Sequence, residues 1–169
     1  MSSLFDFTPE NNEELKQPKD IVKEQCDELA KLTHDYVIGK IEPYDGPIRN
    51  HPSHLSVSLA ASLTQSFNVQ NELGDISENR FTYEFFISSK YTPNFKYRVF
   101  FLDYGIPCYP LEMVLDETIA KQINMDYNVI CNNEEELSAL LKRVLNSDKM
   151  KDVINSLFTI CIQEVKNGF

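Results

Sequence analysis

Two histidines stand three residues apart in the stretch His51-Pro52-Ser53-His54. Neutral imidazoles at that spacing can share a divalent metal, and a thiol such as Cys108 can complete the set. No HExxH motif and no cysteine cluster accompanies them, so the sequence assigns no metal ligand. Cys108 itself lies in Ile106-Pro107-Cys108-Tyr109-Pro110. A nucleophilic thiol needs a basic neighbour or a helix N-terminus to lower its pKa, and the sequence offers neither there. Glu84 and Glu112 fall within predicted strands. They would serve as paired carboxylates only if the strands bring them together, and the alternation around them predicts that both face solvent.

Asp103-Tyr104-Gly105 reads as a strand end followed by a turn. There is no GxxxxGK[ST], no GxGxxG and no GxSxG, and five glycines are too few for a phosphate cradle of that kind. The sequence therefore assigns no catalytic residue and no cofactor.

Residues 81–104 hold more than half of the Phe and Tyr in the chain. Rings on neighbouring strands can stack bases, but such a surface also needs a positive groove. Arg80, Lys90, Lys96 and Arg98 are the only local cations, set against Glu84 and Asp103, in a protein of net charge −10. Nucleic acid is not an expected ligand. The rings read instead as sheet core. Phe81, Tyr83, Phe85 and Ile87 share one parity. So do Phe95, Tyr97, Val99 and Phe101 on the next strand, while Phe86, Phe100 and Leu102 point the other way. Strands apolar on both faces belong inside a covered sheet.

The elements that would position these groups follow from periodicity. Residues 1–17 are an acidic arm, possibly flexible, with Phe5 and Phe7 as its only large anchors. The single domain is expected over 18–169. Pro18 opens a helix whose stripe runs through Val22, Cys26, Leu29, Leu32 or Thr33, Tyr36 and Val37, with Gly39 as its stop. A proline-rich loop follows. Leu55, Val57, Leu59, Ala61, Leu63, Phe67 and Val69 then alternate as a strand would. The two aromatic strands and YPLEMVLD complete the antiparallel strands. Asp116 caps a short helix and MDYNVICNN supplies a short strand or extended link. Asn132 or Asn133 and Ser147 cap a final helical pair. The expected fold is α+β: an N-terminal helix, an antiparallel meander of three to five strands, and a C-terminal helical hairpin packed on the sheet.

No apolar run is long enough to span a bilayer and the N-terminus lacks a secretory pattern, so the expected location is the cytoplasm. Four scattered cysteines fit a reducing compartment. The acidity is spread along the chain, which suits a basic protein partner and opposes an anionic membrane. Ile160 and Ile162 widen the apolar stripe of the last helix beyond one contact face.

These features favour a small non-catalytic protein-interaction module, such as an immunity-type inhibitor, an adaptor, or a subunit of a larger assembly such as a defence complex. Phe5, Phe7, Ile160 and Ile162 are its candidate partner contacts, and the last helix is a candidate route to a homo-oligomer. The alternatives are two. One is an enzyme or ligand-binding domain whose pocket is lined by His51, His54, Tyr83, Tyr97 and Tyr104. The other is an acidic mimic of nucleic acid, for which Glu134, Glu135 and Glu136 form one short cluster.

Overall fold

The computed structural model describes residues 16–48 and 80–168. Helix α1, Pro18–Leu32, begins on its proline with Asp20 in the first turn and Lys31 in the last, both favourable to the helix dipole. Its buried face is Pro18, Ile21, Val22 and Cys26.

The helix stops at Leu32 and not at the expected Gly39. His34 and Asp35 adopt left-handed backbone, with φ of 51° and 62°. Asp and His are among the few side chains that accept this region, and two in succession turn the chain out of the helix. Tyr36 and Val37 thus leave the helical stripe to which periodicity assigned them. Val37 instead opens strand β1, Val37–Pro43.

Strands β2 (Phe81–Ser89), β3 (Tyr97–Tyr104), β4 (Leu111–Leu115) and β5 (Asn128–Cys131) complete a five-stranded sheet in the order β1-β2-β3-β4-β5. Every neighbouring pair is antiparallel. Helix α2 (Glu117–Gln122) links β4 to β5, and α3 (Glu134–Leu145) and α4 (Asp148–Lys166) follow the last strand. Each of these helices carries the cap that its sequence announces. Asp116 accepts from the N–H groups of Thr118 and Ile119, Asn133 from Glu136, and Ser147 from Met150. The fold is the expected α+β class.

The core lies between the helices and one face of the sheet. Phe85, Phe100, Leu102, Met113, Leu137 and Met150 are all buried there. The pairing of β2 with β3 shifts by one residue. Phe85 faces Phe100, but Phe86 faces Arg98, so Val99 is the extra residue of a bulge. The strict parity expected for Tyr97, Val99 and Phe101 is broken at that point. Val99 and Phe100 are consecutive, and both are buried.

On the opposite, outer face, Glu84 and Glu112 differ from their expected solvent exposure. Glu84, Asp103 and Glu112 are only 6%, 8% and 7% exposed. Glu84 is held by Lys96 and Arg98, and Asp103 by Arg80 and the Thr82 hydroxyl. The cations lie over rings: Lys96 is 4.2 Å from the Phe86 centroid, and Arg98 is 4.8 Å from that of Phe101 and 5.1 Å from that of Tyr44. Their stems therefore help to shield the carboxylates they neutralise.

Candidate functional site

Helix α1 has a cleft on each side. The first, about 440 Å³, lies between α1 and the α3–α4 pair. Phe85, Leu29, Leu32, Leu141, Leu145 and Ile154 line it, with Gln25, Glu28 and Lys142 among its polar groups. Leu32 is 78% exposed.

The second cleft, about 450 Å³, lies between α1 and β1. Lys19, Lys23, Cys26 and Asp27 come from the helix, and Gly39 to Pro43 from the strand. Tyr83 closes one end, with the Lys19 ammonium 5.7 Å from its ring centroid.

The main chain of β1 has a definite phase. The Tyr44 N–H donates to the Thr82 carbonyl at 2.9 Å, and the Lys90 N–H donates to the Tyr36 carbonyl at 3.0 Å. These two bonds bracket the β1–β2 ladder. In an antiparallel pair, hydrogen-bonded and non-hydrogen-bonded positions alternate. Ile38, Lys40 and Glu42 therefore bond to β2. Val37, Gly39 and Ile41 turn their N–H and C=O groups away from the sheet.

The Thr33 hydroxyl satisfies the first of these N–H groups. It accepts from the Val37 N–H at 3.2 Å, and its single proton is shared between the Leu29 carbonyl at 2.9 Å and the Val37 carbonyl at 3.2 Å. Among the described residues nothing bonds the outward groups of Gly39 and Ile41, and no strand pairs with that edge. Gly39 also lets the two walls approach. A Cβ at that position would stand 3.3 Å from both the Cys26 Sγ and a Phe85 ring carbon.

The residues that sequence reasoning selected are dispersed. Phe5, Phe7, His51, His54 and the alternating segment 55–69 lie outside the described residues. Tyr83 and Tyr104 stack at 5.8 Å between centroids, and the Tyr104 hydroxyl donates to Gln17 Oε1 at 3.4 Å. Tyr97 sits at the other end of β3, near the Lys149 ammonium at 5.6 Å. The strand thus separates Tyr97 from Tyr104, and the three tyrosines share no pocket among the described residues. Burial raises the pKa of both Tyr97 and Tyr104, which keeps their phenols neutral.

On α4, Ile160 is 40% exposed and Ile162 is half-buried; Cys161 between them is fully buried. Their spacing on a helix sends the two isoleucines to different sides.

Glu84 and Glu112 share the outer face but not a cross-strand row. Glu84 stands opposite Phe101, and Glu112 stands opposite Asp103. No group of three His, Cys, Asp or Glu suited to a metal ion occurs among the described residues. Cys108 is half-buried, and Cys26, Cys131 and Cys161 are buried and unpaired.

Sequence reasoning missed the roles of Thr33, Gly39 and Ile41. Gly39 was a usable signal, since a glycine within a strand often marks a close approach of another backbone or side chain.

Comparison with family models, curated proteins and solved structures finds no match to this chain.

Proposed function

We propose that this protein is a non-catalytic module that binds another protein through the face built by α1 and β1. The observation that carries this reading is the outward edge of β1. Main-chain donors and acceptors at Gly39 and Ile41 line a cleft and lack partners among the described residues. Unpaired strand edges are templates for another chain, and main-chain hydrogen bonds supply affinity there. The reading covers an inhibitor, an adaptor or an assembly subunit, in the cytoplasm. Its support for that compartment is four thiols, none of them in a disulfide.

The test is purification of the tagged chain from its own cells at low salt, with the native mass of what elutes. A stoichiometric protein partner is the expected result. Recovery of the bare chain alone, from cells in which it is abundant, overturns the reading.

A second reading has its own observation. The cleft between α1 and the α3–α4 pair is apolar and within the size range of small-ligand sites. Binding of a fluorescent apolar probe, weakened by Leu32→Lys without loss of folded structure, would favour it, since Leu32 lines the cleft and is exposed. The acidic-mimic reading has less support, because Glu84 and Asp103 are neutralised by Lys96, Arg98 and Arg80.

A further inference from the structure

We infer that the chain's own acidic arm, ahead of α1, occupies the cleft between α1 and the α3–α4 pair, with Phe5 and Phe7 seated on its apolar floor. This concerns the side of α1 opposite β1, so it stands or falls apart from the reading of the α1–β1 face.

The cleft has an apolar floor and an exposed apolar rim. Phe85, Leu141 and Met150 form the floor, and all three are buried. On the rim Leu32 is 78% exposed, more than any other large apolar side chain among the described residues. Removing such area from water is favourable, and an aromatic ring covers more of it than most side chains.

The arm enters at one end of this cleft. Lys16, the first described residue, holds Glu24 of α1 at 2.7 Å. The hydrogen bond and charge of Glu24 raise the Lys16 pKa, and the charge of Glu134, the first residue of α3, adds to them. Lys16 therefore lies where α1 and α3 both begin. The α1 wall of the cleft runs from Ile21 to Leu32, about 17 Å of helix. Phe7 is nine residues ahead of Lys16, which is about 30 Å of extended chain. The arm is thus long enough to turn at Lys16 and lie along the whole cleft. Residues 49–79 are tethered elsewhere. They connect β1 to β2 at the end where Pro43 pairs with Tyr83, and both of those residues line the other cleft.

Charge also complements the arm. It carries Asp6, Glu10, Glu13 and Glu14. At the cleft, Glu28 is already neutralised by Lys31 at 2.6 Å, whereas Lys142 has no ion pair among the described residues. In an extended segment Phe5 and Phe7 share one side and Asp6 takes the other. With both rings on the floor, Asp6 stays at the rim, where the long Lys142 stem brings its ammonium to the carboxylate. Seated in this way, the arm closes the cleft to any other apolar ligand until it is released.

The experiment puts a photoreactive benzophenone side chain in place of Phe7 in the full chain, irradiates it at low protein concentration and maps the crosslinked peptides. Binding of anilinonaphthalene sulfonate is measured in parallel on the wild type and on the double variant Phe5→Ser, Phe7→Ser. Crosslinks are expected within one chain, to the peptides that carry Leu29 and Leu32 or Leu145 and Ile154. Leu32→Lys should reduce them several-fold, and it leaves the core intact because Leu32 is exposed. The double variant should bind the probe at least tenfold more tightly than the wild type.

Three results overturn the inference. Crosslinks to β1, or to Lys19 and Lys23, put the arm on the other side of α1; purification from cells then judges the module reading separately. Crosslinks between two chains assign the cleft to self-association. Crosslinks only to residues 49–79, or none at all, with equal probe binding by wild type and double variant, leave the arm off the cleft.

Discussion

The hydroxyl of Thr33 holds the main chain of Val37, with its oxygen 3.2 Å from both the Val37 nitrogen and the Val37 carbonyl oxygen. Its single proton is shared between that carbonyl and the Leu29 carbonyl at 2.9 Å, so one side chain ties the end of α1 to the start of β1. Thr33 is buried, so removing its oxygen leaves the Val37 N–H without a partner. Thr33→Val is expected to lower stability by about 1–3 kcal/mol, the cost of an unsatisfied buried donor. Urea denaturation measures it. A midpoint equal to that of the wild type would show that water replaces the hydroxyl at no cost.

Gly39 makes a different prediction, because its constraint is space rather than hydrogen bonding. Contacts of 3.3 Å to the Cys26 Sγ and to Phe85 require both neighbours to yield to a new methyl group. Gly39→Ala is expected to cost about 1–3 kcal/mol, the range for overpacking. Adding Cys26→Ala should recover part of that loss, since it clears one of the two contacts. Strict additivity in the double-mutant cycle would show that the two residues do not press on each other.

Much of the architecture was readable from periodicity and caps. Asp116, Asn133 and Ser147 announced their helices because a short polar side chain before an apolar stripe has one local use. The end of α1 was not readable. His34 and Asp35 carry the turn; both side chains tolerate left-handed backbone, but both also occur within helices, so their types alone do not place the stop there. Parity through the aromatic strands failed at Val99, where a bulge inserts one residue and shifts every face beyond it. The edge site was hidden for a related reason. It is made of main chain, and the phase of a β-ladder depends on pairing between Tyr44 and Thr82 and between Tyr36 and Lys90, which are distant in sequence.

Glu84 leads to a pH dependence. Burial pushes its carboxyl up. Hydrogen bonds from Lys96 and Arg98, with their charges, outweigh this, and the net position is below the ordinary carboxylate value. A lowered folded value means stability that is present above the ordinary carboxylate range and lost as pH falls through the lowered one. Glu84→Gln is therefore expected to be less stable than the wild type at pH 7, by about 1–2 kcal/mol, since both cations remain half-exposed and can return to water. The gap should close as the pH is taken below the carboxylate range. A gap that persists unchanged in acid would mean that Glu84 acts through packing and not through its charge.

The thiols give the last prediction. Burial pushes Cys26 and Cys131 up to about 11, and Cys161 is fully buried with its Sγ 3.6 Å from the Tyr36 carbonyl oxygen. A thiol reacts as its thiolate, so the first two present almost no nucleophile at pH 8, and the third is out of reach of the reagent. Cys108, half-buried in its proline loop, is the accessible one. An aromatic disulfide reagent added to the native protein at pH 8 should modify Cys108 first, with the other three reacting only after denaturant is added. Peptide mapping of the labelled chain reads this directly. Early labelling of Cys26 would carry a further meaning, because Cys26 lines the cleft beside β1. It would show that the reagent enters the cleft beside β1 in the native protein.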